Sequence, residues 1–424
     1  MKQINIGLLG CGQVGTGLVR LLNQQKKFIE KRTDLRLSIT QTLVRRAGKK
    51  RQVKAPGMTT DINRILDNKN IEVVVELIGG LEPARSWIIR ALRAGKHVVT
   101  ANKAVLAHHG NEIMAIAAET NRQVYYEAAV CAGIPVIRSI KDGLLANHIS
   151  LLMGILNGTT NYILTRMAED ALTLSDALKL AQAKGFAEPD PTMDIQGFDA
   201  AHKLAVLAAL SFGINVRPGE IYTEGITAID PEDIKNAAEF GYTIKLLAIG
   251  REVPGNKVEL KVHPTMIPKV HPLAAVRNEF NALYLRGSAV GEMMFYGKGA
   301  GPLPTASAIL ADIIEVANQP QAVPPPMLWG IKKVLPIDQS CSEHYLRFPI
   351  KDKPGVIGKL ATILGRHNIS IYGATASLAS IKKDLGNVRI LTKKATEAQI
   401  KNAISEINRL AIIRGKIVVI QMAE

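Results

Sequence analysis

Cysteine is scarce, with three in 424 residues, Cys11, Cys131 and Cys341, far apart along the chain. That excludes a disulfide framework and a CxxC metal site, and leaves all three as packing residues. No histidine close to Cys131 in the sequence offers itself as the base a nucleophilic thiol needs. Aromatic residues are also few, at 4% with two tryptophans, so there is little to stack on bases. No zinc or helix-turn-helix signature accompanies the net charge of +16, and a nucleic-acid partner is not expected. No stretch approaches the roughly 20 unbroken apolar residues that cross a bilayer. The opening MKQINIGLLGCGQVG carries no cleavable signal pattern, which points to a cytoplasmic protein with no membrane partner.

What is present is ample core material: 47% hydrophobic residues in a chain long enough for two or three domains. Ile4 to Leu9 form a short apolar strand, followed by Gly10-Cys11-Gly12-Gln13-Val14-Gly15 and by Leu18, Leu21, Leu22 and Phe28 at helical spacing. In that setting a GxGxxG turn lets the backbone approach a pyrophosphate at a helix N-terminus. A second strand, Leu35 to Val44, ends in Arg45-Arg46 with no acid at its tip. Carboxylates there favour NAD, whereas arginine accommodates the extra phosphate of NADP, so NADP is the expected preference. Lys26, Lys27, Lys31, Arg32, Lys49, Lys50 and Arg51 extend this basic face, which suits an anionic cofactor. Further strands at Ile71 to Ile78, His97 to Thr100 and Gln123 to Val130, separated by helices at Pro83 to Arg93 and Glu112 to Thr120, predict a Rossmann-like, doubly wound parallel sheet.

The stretch GFAEPDPTMDIQGFDAAHKLAVLAAL, Gly185 to Leu210, concentrates the chemistry. Pro189 and Pro191 make its first half a loop that carries Glu188, Asp190 and Asp194. After Gly197 the breakers stop and a buried helix is predicted, with Asp199 and Lys203 at i and i+4 on one face. Most such pairs are surface ion pairs. Here three carboxylates lie just ahead of a lysine on an otherwise apolar helix. A lysine held among carboxylates can give its proton to a developing alkoxide, and the other carboxylates can hold an ammonium group.

The run EPDPTMDIQGFDAAHKLAVLA closely resembles the signature of homoserine dehydrogenase. Four further segments are similar to the same family, in order: Thr100-Ala101-Asn102-Lys103, Glu127 to Pro135, Asn157 to Tyr162, and Gly299 to Thr305. The resemblance implies interconversion of aspartate 4-semialdehyde and homoserine with NAD or NADP. Lys203 would be the proton donor and Lys103 would position the oxygen, between nicotinamide and substrate. Glu188 and Asp199 would hold the amino group or tune the lysine, and Asp194 would complete the network. Gly10, Gly12, Gln13, Val14, Gly15, Arg45, Arg46, Thr100, Lys103 and Ala300 would meet the cofactor. Some family members bind a monovalent cation such as Na+ or K+; its ligands here would be Glu127 and the carbonyls of Val130, Ala132 and Ile134, hard oxygens of the kind such an ion prefers.

Residues 1–132 would then be the cofactor domain, rejoined around 299–318, and 133–325 an α+β catalytic domain whose sheet also serves dimerisation. Pro320 to Pro326 reads as a stiff linker. Beyond it, strands and helices in the order βαββαβ predict a ferredoxin-like fold over 340–424. The turn Asp352-Lys353-Pro354-Gly355-Val356 and the run His367 to Ile371 resemble an ACT domain, which implies an amino-acid effector, threonine as a pathway product. No kinase segment precedes the cofactor domain, so the monofunctional form is expected, as a homodimer or homotetramer. Two rivals stay open at this point: a dehydrogenase for a sugar or another amino-acid aldehyde, and a silent nucleotide and amino-acid sensor. Intact Lys103, Lys203 and Glu188 argue against the sensor.

Overall fold

The computed structural model describes residues 1–46, 48, 53–318, 332–380 and 385–423. Lys49, Lys50, Arg51 and the proline-rich run 320–326 lie outside them. The chain divides into two compact units, Met1–Gly158 with Phe198–Ile221 and Glu279–Lys332, and Thr159–Gly197 with Tyr222–Asn278 and Lys333–Glu424. Among the described residues no helix is long and apolar enough to cross a membrane.

The first unit holds a parallel sheet of six strands: β1 (Lys2–Leu9), β2 (Leu35–Leu43), β3 (Met58–Thr59), β4 (Val73–Glu76), β5 (His97–Thr100) and β6 (Val124–Tyr125), in the order β3-β2-β1-β4-β5-β6. The order reverses direction beside β1, and ligands bind such sheets at the carboxyl ends of the strands near that switch point. Strands β4 (VVVE) and β5 (HVVT) are buried at every position, which is why valine fills their middles, whereas β2, nearer the edge, alternates. The helix α1 (Gln13–Thr33) follows β1 and packs Leu18 and Leu22 into the same core as Ile309, Ile313 and Val316 of the helix Pro302–Asn318. Gly17 permits that approach, since a Cβ there would lie 2.6 Å from the Pro302 carbonyl oxygen. Three antiparallel strands, Ile149–Ile155, Phe280–Gly287 and Gly291–Lys298, complete the β structure described for this unit.

Two elements differ from the sequence reading. The helix expected from Glu112 begins at Lys103, because the Asn102 side chain accepts the Val105 N–H and caps it. The strand expected over Gln123 to Val130 stops at Tyr125. The Glu127 N–H goes to the Asp312 carboxylate (2.9 Å) instead of a neighbouring strand, and a 3₁₀ turn over Glu127–Ala129 follows.

The second unit is built on a mixed sheet in which the hairpin Tyr242–Val253 and Lys257–Pro268 is followed by Val418–Met422, Cys341–Lys351, Leu385–Thr396 and Ile371–Ser380. The last four strands, with the helices Val356–Arg366 and Glu397–Ile407, form a βαββαβ unit. Its core packs Leu346, Phe348, Val388 and Ile390 against Leu360, Leu364 and Ile407. Thr396 and Gln399 form the capping box their spacing predicts.

Candidate active site

In the first unit the helix Phe198–Phe212 is apolar almost throughout, yet Asp199 and Lys203 on it are buried. An acidic residue in the first turn meets the positive end of the helix dipole. Asp199 joins two lysines: its Oδ2 lies 2.7 Å from Lys203 Nζ and its Oδ1 2.9 Å from Lys103 Nζ. Asn157 Nδ2 also donates to Asp199 Oδ2 (2.8 Å), and Lys203 Nζ donates to the Leu156 carbonyl oxygen (2.6 Å). Burial alone would raise the Asp199 pKa, but Lys203 and Lys103 outweigh it and hold the carboxyl well below the usual carboxylate range. The pair from the sequence is thus a triad with a second lysine. The exposures differ in a useful way, 11% for the Lys203 side chain and 37% for Lys103. Two of the three Lys203 N–H groups have protein acceptors, which leaves one for a reacting oxygen.

Lys103 opens its helix from the carboxyl end of β5, and the loops beside it are ordered by Glu76, a fully buried residue that the sequence did not single out. Glu76 accepts the Thr100 hydroxyl (2.6 Å) and the N–H groups of Ile78 (2.8 Å) and Gly79 (3.3 Å), while Asn102 Nδ2 donates to the Gly80 carbonyl (2.8 Å). Burial pushes the Glu76 pKa up against these hydrogen bonds. The Thr100 hydroxyl is committed to Glu76, so Thr100 shapes the strand edge from within.

At the end of β1, Gly10 has φ +99 and a Cβ there would lie 2.8 Å from the Leu77 carbonyl oxygen, while one on Gly15 would meet the Gly10 oxygen at 2.4 Å. Gly12, the N-cap of α1, has open space where a Cβ would stand; no side chain caps the helix and no acid occupies its first turn, which contains Gln13, Val14 and Gly15. A phosphate fits such a helix N-terminus. Arg45 and Arg46, just past β2, are exposed. Ala300 lies between Gly299 and Gly301, the latter at φ +113, ahead of the Pro302–Asn318 helix.

The Glu127 carboxylate is buried and accepts the N–H groups of Ile137 (2.8 Å) and Arg138 (2.7 Å), one on each oxygen. Cys131 and Ala132 have φ of 53 and 29, a turned backbone between Val130 and Ile134, and the Ile134 carbonyl accepts the Val136 N–H (2.7 Å). Among the described residues no group of three or more His, Cys, Asp or Glu is arranged to hold a metal. A carbonyl-rich cation site would draw on backbone oxygens instead.

Glu188 and Asp194 belong to the second unit. Glu188 is exposed, its carbonyl accepting Gln182 Nε2 (3.1 Å), and Asp190 holds the Thr192 hydroxyl (2.6 Å) and N–H (3.1 Å), opening the one-turn helix Thr192–Ile195 that contains Asp194. Asn161 serves the fold: Lys245 Nζ donates to its Oδ1 (3.0 Å) and its Nδ2 donates to the Asn278 carbonyl (2.9 Å). Burial lowers the Lys245 pKa to about 8. Glu76 carries no signal in the sequence, because its role depends on which strand ends meet; Asn157 lies in the segment Asn157 to Tyr162, which suits a helix cap or substrate contacts, and its bond to Asp199 is a long-range contact.

Two family models match, described as homoserine dehydrogenase over residues 135–314 and homoserine dehydrogenase, NAD binding domain, over residues 10–127. The homoserine dehydrogenase of Neisseria gonorrhoeae is 41% identical, covering 100% of this chain and 99% of its own, and that of Bacillus subtilis is 38% identical, covering 98% and 97%. A homoserine dehydrogenase structure from Thiobacillus denitrificans superimposes with a TM-score of 0.92 at 39% identity, covering 100% of this chain and 99% of that one. A hyperthermophilic archaeal homoserine dehydrogenase solved in complex with NADPH matches with a TM-score of 0.63 at 26% identity, covering 75% of this chain and 98% of that one.

Proposed function

The chain belongs to the homoserine dehydrogenase family of oxidoreductases, and on that premise we propose that it interconverts L-aspartate 4-semialdehyde and L-homoserine around the Asp199-bridged lysine pair. That bridge is the observation that carries the reading. When bound, the nicotinamide donates or accepts the hydride at the substrate carbon. The protein must orient the substrate and manage one proton. Lys203, enclosed and anchored by Asp199 and Leu156, presents its remaining N–H to the oxygen and acts as the acid in the direction of reduction. Lys103, more exposed, positions the same oxygen. Asp199 holds both lysines in place and is fixed by Asn157.

NADP is the favoured cofactor, since Arg45 and Arg46 stand at the tip of β2 and the archaeal relative was solved with NADPH. The glycine turn at α1 receives the pyrophosphate, with Ala300 and Lys103 toward the nicotinamide end. Glu127 retains one lone pair on each oxygen after its two backbone bonds, so a monovalent cation such as Na+ or K+ fits there with the carbonyls of Val130, Ala132 and Ile134. The element order of the βαββαβ unit supports reading it as an ACT-type module for an amino-acid effector, threonine first, in an enzyme of cytoplasmic threonine, methionine and isoleucine synthesis. The test is spectrophotometric. Homoserine should drive NADPH formation by the intact protein; turnover with other alcohols and none with homoserine would refute the assignment.

A further inference from the structure

Asn281 lies on the strand Phe280–Gly287 with 1% of its surface exposed, and its Oδ1 is a buried acceptor without a hydrogen-bond partner among the described residues. Among the described residues its Nδ2 has only the weak acceptor Cys131 Sγ, at 3.9 Å. Burial pushes the Cys131 thiol up to about 11, so the neighbour is a neutral thiol. Two glycines make room for the carboxamide. A Cβ on Gly299 would stand 2.1 Å from Asn281 Cγ and 2.5 Å from Oδ1, and one on Gly158 would stand 3.2 Å from Oδ1. One side chain therefore touches three turns distant in sequence: the left-handed Cys131 turn, the turn whose Asn157 holds Asp199, and Gly299 to Gly301 ahead of the Pro302–Asn318 helix.

An apolar side chain of the same size would fill this space at no desolvation cost, and buried acceptors are rarely left unpaired. A carboxamide kept here needs a polar reason. We propose that Asn281 is a positioning residue for the reaction: it registers the Gly299–Gly301 turn against the Cys131 and Asn157–Gly158 turns, and Oδ1 is the acceptor for a backbone N–H of Gly299–Gly301 when that turn seats the dinucleotide. The inference rests on the dehydrogenase reading for its ligand, while its geometry is that of the side chains and turns described above.

Asn281→Leu keeps the number and branching of the heavy atoms, is bulkier by its hydrogens, and removes the acceptor. It should still fold cooperatively, bind NADPH at least tenfold more weakly by fluorescence titration, and lose kcat by a similar factor. NADPH affinity and kcat within twofold of wild type would overturn the proposal. Should Asn281→Leu fail to fold, Gly299→Ala and Gly299→Ala/Asn281→Ser decide. The serine relieves the clash, so the double variant should recover the thermal midpoint without recovering NADPH affinity. Recovery of both would show that Asn281 only fills space. If wild-type protein binds NADPH yet ignores homoserine, the dehydrogenase reading fails, while the binding and melting data still judge Asn281.

Discussion

Asp199 shows how much a single buried carboxylate decides. Its pKa is depressed in the folded protein, because the opposing charges of Lys203 and Lys103 outweigh its burial. A group of that kind stabilises the fold above its unfolded value of about 3.9 and loses that contribution as pH falls toward its folded value. Asp199→Asn leaves two lysines without their shared anion, and removing one partner of a buried ion pair costs about 3–5 kcal/mol. The difference in unfolding free energy between wild type and Asp199→Asn should therefore be widest near neutrality and shrink below about pH 4; a difference independent of pH would refute the charge assignment. Lys203→Arg separates chemistry from stability. Arginine can pair with Asp199 but does not readily release a proton, so kcat should fall by about 10²-fold or more while the melting temperature changes little. Near-normal kcat would reduce Lys203 to a structural cation.

Among the elements, those with strong local signals were legible in the sequence and those fixed by long-range bonds were not. The strand, glycine turn and helix at residues 4–28 follow from backbone sterics, and the helix after Gly197 begins where proline stops and a left-handed glycine, φ +82, ends the loop. The shortening of β6 depends on Asp312, 185 residues from Glu127, and no local pattern reports it. The start of the Lys103 helix was legible in principle, since Asn102 is a good N-cap, but Gly110 within the helix weakens the helical signal there. Asn157 lay in a recognised motif, but its bond to Asp199 appears only once the fold brings them together. The tip of β2 gives a prediction of its own. Arg45→Glu should lower kcat/KM for NADP by at least tenfold more than for NAD, a shift of about 1.4 kcal/mol in relative transition-state binding. A wild-type enzyme that prefers NAD tenfold would contradict it.

Taken whole, the molecule pairs a nucleotide sheet and its lysine pair with a second unit whose βαββαβ portion continues the sheet of the hairpin Tyr242–Pro268. Within that second unit Arg347 is clasped by Asp233 (2.6 Å) and Asp230 (2.5 Å), and Lys261 reaches Gln421 (2.7 Å), so the C-terminal strands are tied to the rest of the unit by buried charge as well as by backbone pairing. If threonine acts through this portion by affinity, threonine and homoserine must weaken each other's binding by the same factor, on the order of 5- to 150-fold. Titration calorimetry of each ligand with and without the other measures it, and equal affinities in both cases would refute control of that kind. If the lysine pair is the reaction centre of this chain, replacing Lys203 must stop proton transfer. That is tested most directly by the rate of homoserine-dependent NADPH formation for intact Lys203→Met beside wild type, with NADPH affinity measured on both. A loss in kcat of about 10²- to 10⁴-fold with cofactor binding unchanged is expected; a variant that retains more than about a tenth of the wild-type kcat would remove Lys203 from proton transfer.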